Sequence, residues 1–214
     1  MRAINLIVLA GLGLALTRSP LSGSPVVESG PGSETNSCAL LAETRHEEGP
    51  GQLPADRAYL RAGTNRFCFL IPSGLKLETW SDGRVALVTR DYNCQIVFRI
   101  AGPPLLEGSE LNPDSCSQWI VAEHATAQIL KQFSAFADSR QGPAYEVGLT
   151  GTAGAPRRGE IAFIPSRVGI LEFSLLCSPE NFEAARRQLH TVMLTFRASD
   201  ARGELHISPL SDKI

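Results

Sequence analysis

VGILEFSLLCSPENFEAARRQLHTVMLTFR, from Val168 to Arg197, is the stretch that decides the fold of this chain. Apolar side chains occupy every second position from Leu171 to Cys177, and a period of two is typical of a strand with one buried face. Ser178 then lies where a helix N-cap belongs, and Pro179 lies at the first helical position. Apolar residues at three- and four-residue steps from Phe182 to Phe196 predict an amphipathic helix that needs a sheet to cover.

Strand-like stretches separated by turn residues precede this unit, and short turns between consecutive strands imply a mostly antiparallel sheet. The centres of the stretches at 84–89 and 94–100 are apolar at nearly every position. Such strands are usually buried on both faces, so a layer is expected on each side of the sheet. The predicted strands before the final unit are residues 67–71, 75–80, 84–89, 94–100, 144–152 and 159–165.

A second long helix is expected between residues 100 and 144, with Asp114 or Ser115 as its cap. Its apolar stripe would consist of Trp119, Ala122, Ala125, Ile129, Phe133 and Phe136. The predicted fold class is therefore α+β. Its architecture is an α/β/α sandwich, with a mostly antiparallel sheet of about six to seven strands and two long helices.

The start of the chain resembles an export signal. Arg2 precedes an apolar run at residues 3–16, which is shorter than the ~20 residues that span a bilayer. Residues 1–16 are thus a signal peptide or, alternatively, an uncleaved N-terminal anchor that contacts the membrane. Residues 17–57, rich in Pro, Gly and Ser, predict a linker with room for a short helix at 38–48. Residues 58–198 form the predicted domain, and 199–214 a loose tail.

The formal net charge of −2 over 214 residues argues against a nucleic-acid partner, since such proteins usually show a basic excess. Export would place the cysteines where disulfides persist. No CxxC spacing occurs, so neither a thioredoxin-like motif nor a zinc knuckle is indicated. For Cys94 and Cys177, on apolar strand faces, a buried thiol is at least as good an interpretation as a bridge. Cys38 is the preferred unpaired thiol. The sequence does not decide which of Cys38, Cys68, Cys94, Cys116 and Cys177 pair.

Three stretches together resemble the Mog1/PsbP-like family. FCFLIPSGLKLE at 67–78 is similar to the family's opening strand and turn, and CQIVFRI at 94–100 to its apolar strand before a loop and helix. Residues 171–197 match its final strand, Ser-Pro hinge and helix closing on an aromatic. The resemblance covers about residues 58–198 and departs at Leu75, where the family often has tryptophan. The resemblance implies a non-catalytic function. PsbP-like members stabilise a membrane-bound photosystem from the lumenal side, and Mog1 binds a small GTPase.

Motifs for catalysis or metal binding are absent from the sequence, so no catalytic, cofactor-binding or metal-binding residue is predicted. His46, His124, His190 and His206 form no HExxH pattern, and no GxSxG occurs. The glycines of GLTGTAG at 148–154 precede a strand rather than a helix, which excludes a phosphate loop. Arg157 and Arg158 at the tip of that hairpin could contact an acidic partner or lipid headgroups.

Three functions remain open from the sequence. The first is a non-catalytic accessory protein, exported to a periplasm or lumen, soluble or tethered, which docks on a membrane complex through a protein partner. The second is a free-standing envelope protein that binds a small ligand between sheet and helix, in a cavity of several hundred Å³. The third is an enzyme without a recognisable motif.

Overall fold

The computed structural model describes residues 40–48, 54–102, 110–151 and 154–199, all within one compact unit. Over these ranges the chain forms two antiparallel sheets and two α-helices. No helix in these ranges is long and apolar enough to cross a membrane.

The larger sheet has seven strands, and β10 at its centre pairs with β6 on one side and β9 on the other. Phe173 of β10 lies opposite Phe98 and Ala162. The order across the sheet is β4-β5-β6-β10-β9-β8-β7. The strands are β4 (Leu75–Thr79), β5 (Val85–Thr89), β6 (Cys94–Ala101), β7 (Gln128–Ala137), β8 (Arg140–Thr150), β9 (Pro156–Ser166) and β10 (Gly169–Cys177).

Helix α2 (Phe182–Thr195) covers one face of this sheet, as the apolar stripe predicts. Its buried side chains are Phe182, Ala185, Leu189, Val192 and Met193. Phe196 follows directly and packs its ring against Phe98 and Phe173 at centroid distances of 5.3 and 5.1 Å. Each such fully buried side chain stabilises the fold by roughly 1.5–3 kcal/mol relative to its exposed state. The closing helix is therefore held by apolar packing.

The start of α2 differs from the expectation in one respect. Ser178 makes no side-chain cap bond, and a 3₁₀ turn over Pro179–Asn181 leads into the helix. The Ser178 hydroxyl instead accepts a hydrogen bond from the Asn181 side chain at 3.0 Å. The Ser-Pro pair therefore marks the start of the helical segment, as predicted. The serine side chain, however, does not accept a hydrogen bond from a backbone N–H there.

Helix α1 (Pro113–Glu123) lies on the opposite face and turns Cys116 and Ile120 toward Tyr145 and Phe163. Its cap is Asn112, whose side chain accepts a hydrogen bond from the Asp114 N–H at 2.8 Å, so the expected cap at Asp114 or Ser115 was wrong by two or three positions. With a helix on each face of a mostly antiparallel sheet, the predicted α+β class is confirmed.

The expected second long helix is only half helical. Helix α1 ends at Glu123. The residues predicted to form the second half of the helix form β7 instead, an edge strand paired with β8. A two-residue turn at Asp138 and Ser139, with φ of 50° and 60°, joins these two strands. Two successive left-handed residues make the kind of turn that suits a hairpin. The stripe of Ile129, Phe133 and Phe136 fits a helical period, but the hairpin pairing overrides it.

A second sheet of four strands, in the order β1-β2-β3-β11, was not predicted. Its strands are β1 (Leu41–Glu48), β2 (Pro54–Ala62), β3 (Asn65–Leu70) and β11 (Arg197–Ser199). Residues 41–48 and 54–57, assigned to a linker with room for a helix, are strands here, and the predicted strand at 67–71 belongs to this sheet. Strand β1 is polar after Leu41 and Ala42, so its pairing with β2, and not an apolar period, defines it. The expected signal segment, the rest of the linker and the tail from residue 200 lie outside the described residues.

Candidate functional site

The four-stranded sheet has one buried side and one open side. On the buried side, Leu60, Phe67 and Phe69 join the apolar cluster that contains α2. Because side chains alternate along a strand, their neighbours point to the other side. That open side, which we call the arginine face, carries Arg45, Arg57, Arg61, Arg66 and Arg197.

A cavity of about 570 Å³ lies on the arginine face. Four of the arginines and a single acidic residue, Glu43, line it. The wall of the cavity also contains Leu41, Tyr59 and Cys68, which belong to β1, β2 and β3 respectively. The chain as a whole has a formal charge of −2, so the positive charge here is local.

At one end of the arginine face the charges are neutralised within the sheet. Arg45 pairs with Glu43 and lies over the Tyr59 ring, 4.7 Å from its centroid. Arg57 donates to Glu47 at 3.2 Å, and the Tyr59 hydroxyl donates to the same carboxylate. Burial, reinforced by this hydrogen bond to Glu47, raises the pKa of Tyr59 to about 12. The tyrosine therefore remains a neutral hydrogen-bond donor at physiological pH.

At the other end the positive charge of two arginines is not compensated. Arg61 and Arg66 lie directly opposite each other on β2 and β3, both are exposed, and neither pairs with a carboxylate in the described ranges. Arg197 donates to two backbone carbonyls, those of Leu194 and Phe196, at 2.9 and 2.6 Å. Like charges placed directly opposite across a sheet destabilise it, so packing gives no reason for the Arg61–Arg66 pair.

Guanidinium groups have a defined chemistry at such a site. Each presents a planar fork of N–H donors that matches the two oxygens of a carboxylate or phosphate. Arg61, Arg66 and Arg197 line one concave surface, which lets several of them contact the same anionic partner. The arrangement can recognise and hold anions.

A second group of charged side chains lies under α2. Glu160 on β9 is fully buried, and its carboxylate accepts from Arg186 at 2.8 Å and contacts the His190 ring nitrogen at 2.9 Å. His190 is half-exposed, and its ring contacts this carboxylate. A buried carboxylate that contacts both a guanidinium group and an imidazole ring is a satisfied structural group, and it anchors the helix to the sheet.

Glu172 on β10 occupies a comparable place under α1. Its carboxylate accepts from Arg99 at 2.6 and 2.9 Å, and Arg99 also pairs with Glu123 at the end of the helix. Burial raises the pKa of the Glu172 carboxyl above its ordinary value, in spite of the adjacent guanidinium. This group likewise joins a helix to the sheet.

The four described cysteines are buried thiols. Burial raises the pKa of Cys94 to about 12, and of Cys116 and Cys177 to about 11, and it also raises the pKa of Cys68. Since the thiolate is the nucleophile, these groups are unreactive at neutral pH in the folded protein. The burial expected for Cys94 and Cys177 is confirmed. Cys38 lies outside the described residues.

The remaining residues discussed from the sequence do not converge on one site. His46 contacts Asp56 on the neighbouring strand at 2.9 Å, and His124 ends α1. Over the described ranges no three ligating side chains come together as a metal site, and His206 lies outside them.

The hairpin arginines, expected to be available to a partner, are engaged within the fold. Arg157 donates to the Asn93 carbonyl at 3.0 Å. Arg158 binds the buried Glu146 and lies over the Phe182 ring. The alternation of Arg57, Tyr59 and Arg61 could have indicated the arginine face, but it falls at the boundary of the expected linker.

Comparison with known proteins gives likenesses of structure only. No protein-family model matches the chain, and no curated protein matches it in sequence. Among solved structures it is similar to LpqN of Mycobacterium tuberculosis, described as involved in cell envelope biogenesis, at 11% identity and a TM-score of 0.47 over 75% of this chain and 91% of that one. It is also similar to the PsbP protein CyanoP of Synechocystis sp. PCC 6803, at 12% identity and 0.43, over 80% of this chain and 99% of that one.

A third likeness is to PA94, a Pseudomonas aeruginosa protein of unknown function described as a putative regulator, at 12% identity and a TM-score of 0.34, covering 56% of this chain and 96% of that one. A PsbP protein is thus among the structures that this chain resembles, as the motifs at 67–78 and 171–197 indicated. At TM-scores below 0.5 the likeness says nothing about activity or partners.

Proposed function

We propose that this protein is a non-catalytic interaction module, exported to a periplasm or lumen, that docks on a membrane-associated complex through its arginine face. The observation that carries the proposal is the uncompensated positive charge of Arg61 and Arg66, which line the 570 Å³ cavity together with Arg197. The partner on this proposal is a protein that presents carboxylates to the sheet.

Two further features support docking. The arginine face contains a concave surface, so a partner can bury the guanidinium groups there, where their interaction with carboxylates is strongest. Arginine and tyrosine are enriched at the energetic centres of protein interfaces, and here Tyr59 lies between Arg57 and Arg61 on β2. The buried thiols with raised pKa and the paired histidines under and beside the sheets offer no activated nucleophile.

The test is affinity purification of the tagged full-length chain from gently solubilised membranes, followed by mass spectrometry. The wild type should recover a defined set of proteins, and the double variant Arg61→Glu, Arg66→Glu should lose them by at least about tenfold, since opposed charges at an interface cost several kcal/mol. Arg90→Glu is the matched control because Arg90 is an exposed arginine on the turn between β5 and β6, in the other sheet. It should leave recovery unchanged.

Recovery of the wild type as a lone soluble monomer would refute docking. Equal recovery by the double variant and the wild type would remove the arginine face from the interface. Raising the salt concentration from about 0.05 to 0.5 M should weaken recovery of the wild type, because salt screens exposed charges.

The same cavity favours a second function, the binding of a small anionic ligand by a free-standing envelope protein. Its volume of about 570 Å³ lies in the range of small-molecule pockets, although it lies on the open side of the four-stranded sheet and not between sheet and helix. Thermal unfolding in the presence of citrate or inorganic phosphate separates the two functions. A rise in Tm that Arg61→Glu abolishes, together with recovery as a monomer, would favour the ligand.

A further inference from the structure

Two cysteines lie directly opposite each other at one end of the central strands. Cys94 begins β6, Cys177 ends β10, and the two residues are cross-strand partners in the antiparallel pairing. Both side chains belong to the apolar cluster under α2, so they lie on the same face of the sheet. Residues directly opposite in an antiparallel pair have Cα atoms about 4.5 or 5.5 Å apart, and both values fall within the range that a disulfide spans.

The backbone bonds show which kind of cross-strand pair this is. The Cys94 N–H donates to the Thr89 hydroxyl at 3.1 Å, and the Cys94 carbonyl accepts from that hydroxyl at 3.4 Å. Both backbone groups of Cys94 therefore point toward β5 and away from β10. Cys94 and Cys177 are then a non-hydrogen-bonded pair, the kind in which opposed Cα atoms lie closest. Both thiols are free here, and the Cys177 thiol donates to the Arg158 carbonyl at 3.7 Å, so a bond requires this side chain to turn toward Cys94.

We propose that Cys94 and Cys177 form an intramolecular disulfide when the chain meets a disulfide oxidant. The step is thiol–disulfide exchange. One cysteine thiolate attacks a sulfur of the oxidant's disulfide, in a disulfide-carrying protein or in glutathione disulfide. The oxidant's S–S bond breaks, one of its sulfurs leaves as a thiolate, and a mixed disulfide forms. The second thiolate then displaces the oxidant's sulfur. The two cysteines each lose a proton and together two electrons, and the oxidant leaves reduced.

The other described cysteines are placed away from this pair. Cys68 lies on the arginine face of the four-stranded sheet, and Cys116 belongs to α1 in the cluster on the opposite face of the larger sheet. The bond would tie β6 to β10 and close a loop of about 80 residues, which stabilises a protein by restricting its unfolded chain.

The timing of oxidation follows from burial. In the folded protein both thiols are almost inaccessible, with 4% and 0% of their surface exposed, and burial raises their pKa. The exchange therefore belongs to the chain as it folds, and the closed bond is then shielded from reductants. Formation of the bond in the cell rests on the proposed export, whereas its formation in vitro does not.

The experiment refolds the full chain from denaturant with reduced and oxidised glutathione, blocks the remaining thiols, and maps tryptic peptides without reduction. Trypsin leaves each of the five cysteines on a separate peptide. The expected product joins residues 91–99 to residues 168–186, and reduction separates them. Cys94→Ser and Cys177→Ser should each abolish this product, and Cys116→Ser, another buried cysteine, should retain it.

Oxidised wild type should also unfold at a higher temperature than the same protein after reduction, by about 5 °C or more. Recovery of Cys94 and Cys177 as blocked thiols would overturn the proposal, and so would a bridge that joins either of them to Cys38, Cys68 or Cys116. If the bond forms in vitro but is absent from protein isolated from cells, that result would contradict export. The proposed pairing of Cys94 with Cys177 would still stand.

Discussion

At residue scale, β8 contains a position where no side chain larger than hydrogen fits. A Cβ atom added to Gly142 would lie 1.8 Å from the carbonyl oxygen of Phe163 on β9. That oxygen belongs to the backbone of a buried strand, which cannot move without disturbing the pairing of β9 with β10. Gly142 is thus required by the close approach of two strands.

We predict that Gly142→Ala lowers the free energy of unfolding by about 3 kcal/mol or more, at the upper end of what overpacking costs. Gly148→Ala is the matched control in the same strand, because its Cβ would meet Leu130 at an ordinary 3.6 Å. Urea unfolding of both variants measures the difference. Equal stability of the two would show that β9 can move away from β8.

Glu172 gives a prediction with a defined pH dependence. Burial raises the pKa of its carboxyl in the folded state, so the folded protein binds this proton more tightly than the unfolded chain does. The contribution of Glu172 to the free energy of unfolding must then fall as the pH rises from the unfolded pKa, near 4.3, through the folded value.

Glu172→Gln has no proton to lose, and its side chain can still accept a hydrogen bond from Arg99. The stability of this variant relative to the wild type should therefore improve steadily between about pH 4 and pH 7. Urea unfolding across that range measures the change. A relative stability that falls as the pH rises would mean that Arg99 outweighs burial.

At the scale of elements, the hairpin of β7 and β8 shows where local sequence signals were insufficient. Strands β9 and β10 carry strong apolar patterns and were predicted, as were β4, β5 and β6. β7 was not, because Ile129, Phe133 and Phe136 also fit a helical spacing. Its turn, Asp138-Ser139, lacks the glycine that usually marks two left-handed residues.

We predict that Ser139→Gly stabilises the protein by about 0.5–1 kcal/mol, because glycine adopts a positive φ without the steric cost that serine has. Ser134→Gly, a control within β7, should destabilise by a similar amount since glycine weakens a strand interior. Thermal unfolding of both variants provides the comparison. A loss of stability in Ser139→Gly would show that the serine side chain holds the turn.

At the scale of the whole molecule, the sequence predicted every strand of the larger sheet except β7, and a covering layer on each face. It did not predict the smaller sheet as a unit, or the site. Alternating apolar residues identify strands that bury a face, such as β10. Strand β1, LAETRHEE, has no such pattern and is defined by its pairing with β2. The arginine face depends on that pairing and on β11, so it could not be assembled from local patterns.

The distribution of charge allows a test that separates binding from stability. Arg61→Glu replaces a repulsive cross-strand pair with an attractive one, because Arg66 lies directly opposite. The free energy of unfolding should stay constant or rise by about 0.2–1 kcal/mol, while binding to the partner is lost. Urea unfolding beside the pull-down measures both. A loss of more than about 1 kcal/mol would mean that Arg61 has a structural role.

The pairing of β11 with β3 joins Arg197 to Cys68 and Ala198 to Phe67, contacts between segments about 130 residues apart. Contacts this distant in sequence form late, because the intervening chain must first be ordered. Arg197 can join Arg61 and Arg66 only after β11 has paired with β3. The hairpin of β2 and β3 already carries two of these three arginines, whereas the complete cavity arises only in the finished fold.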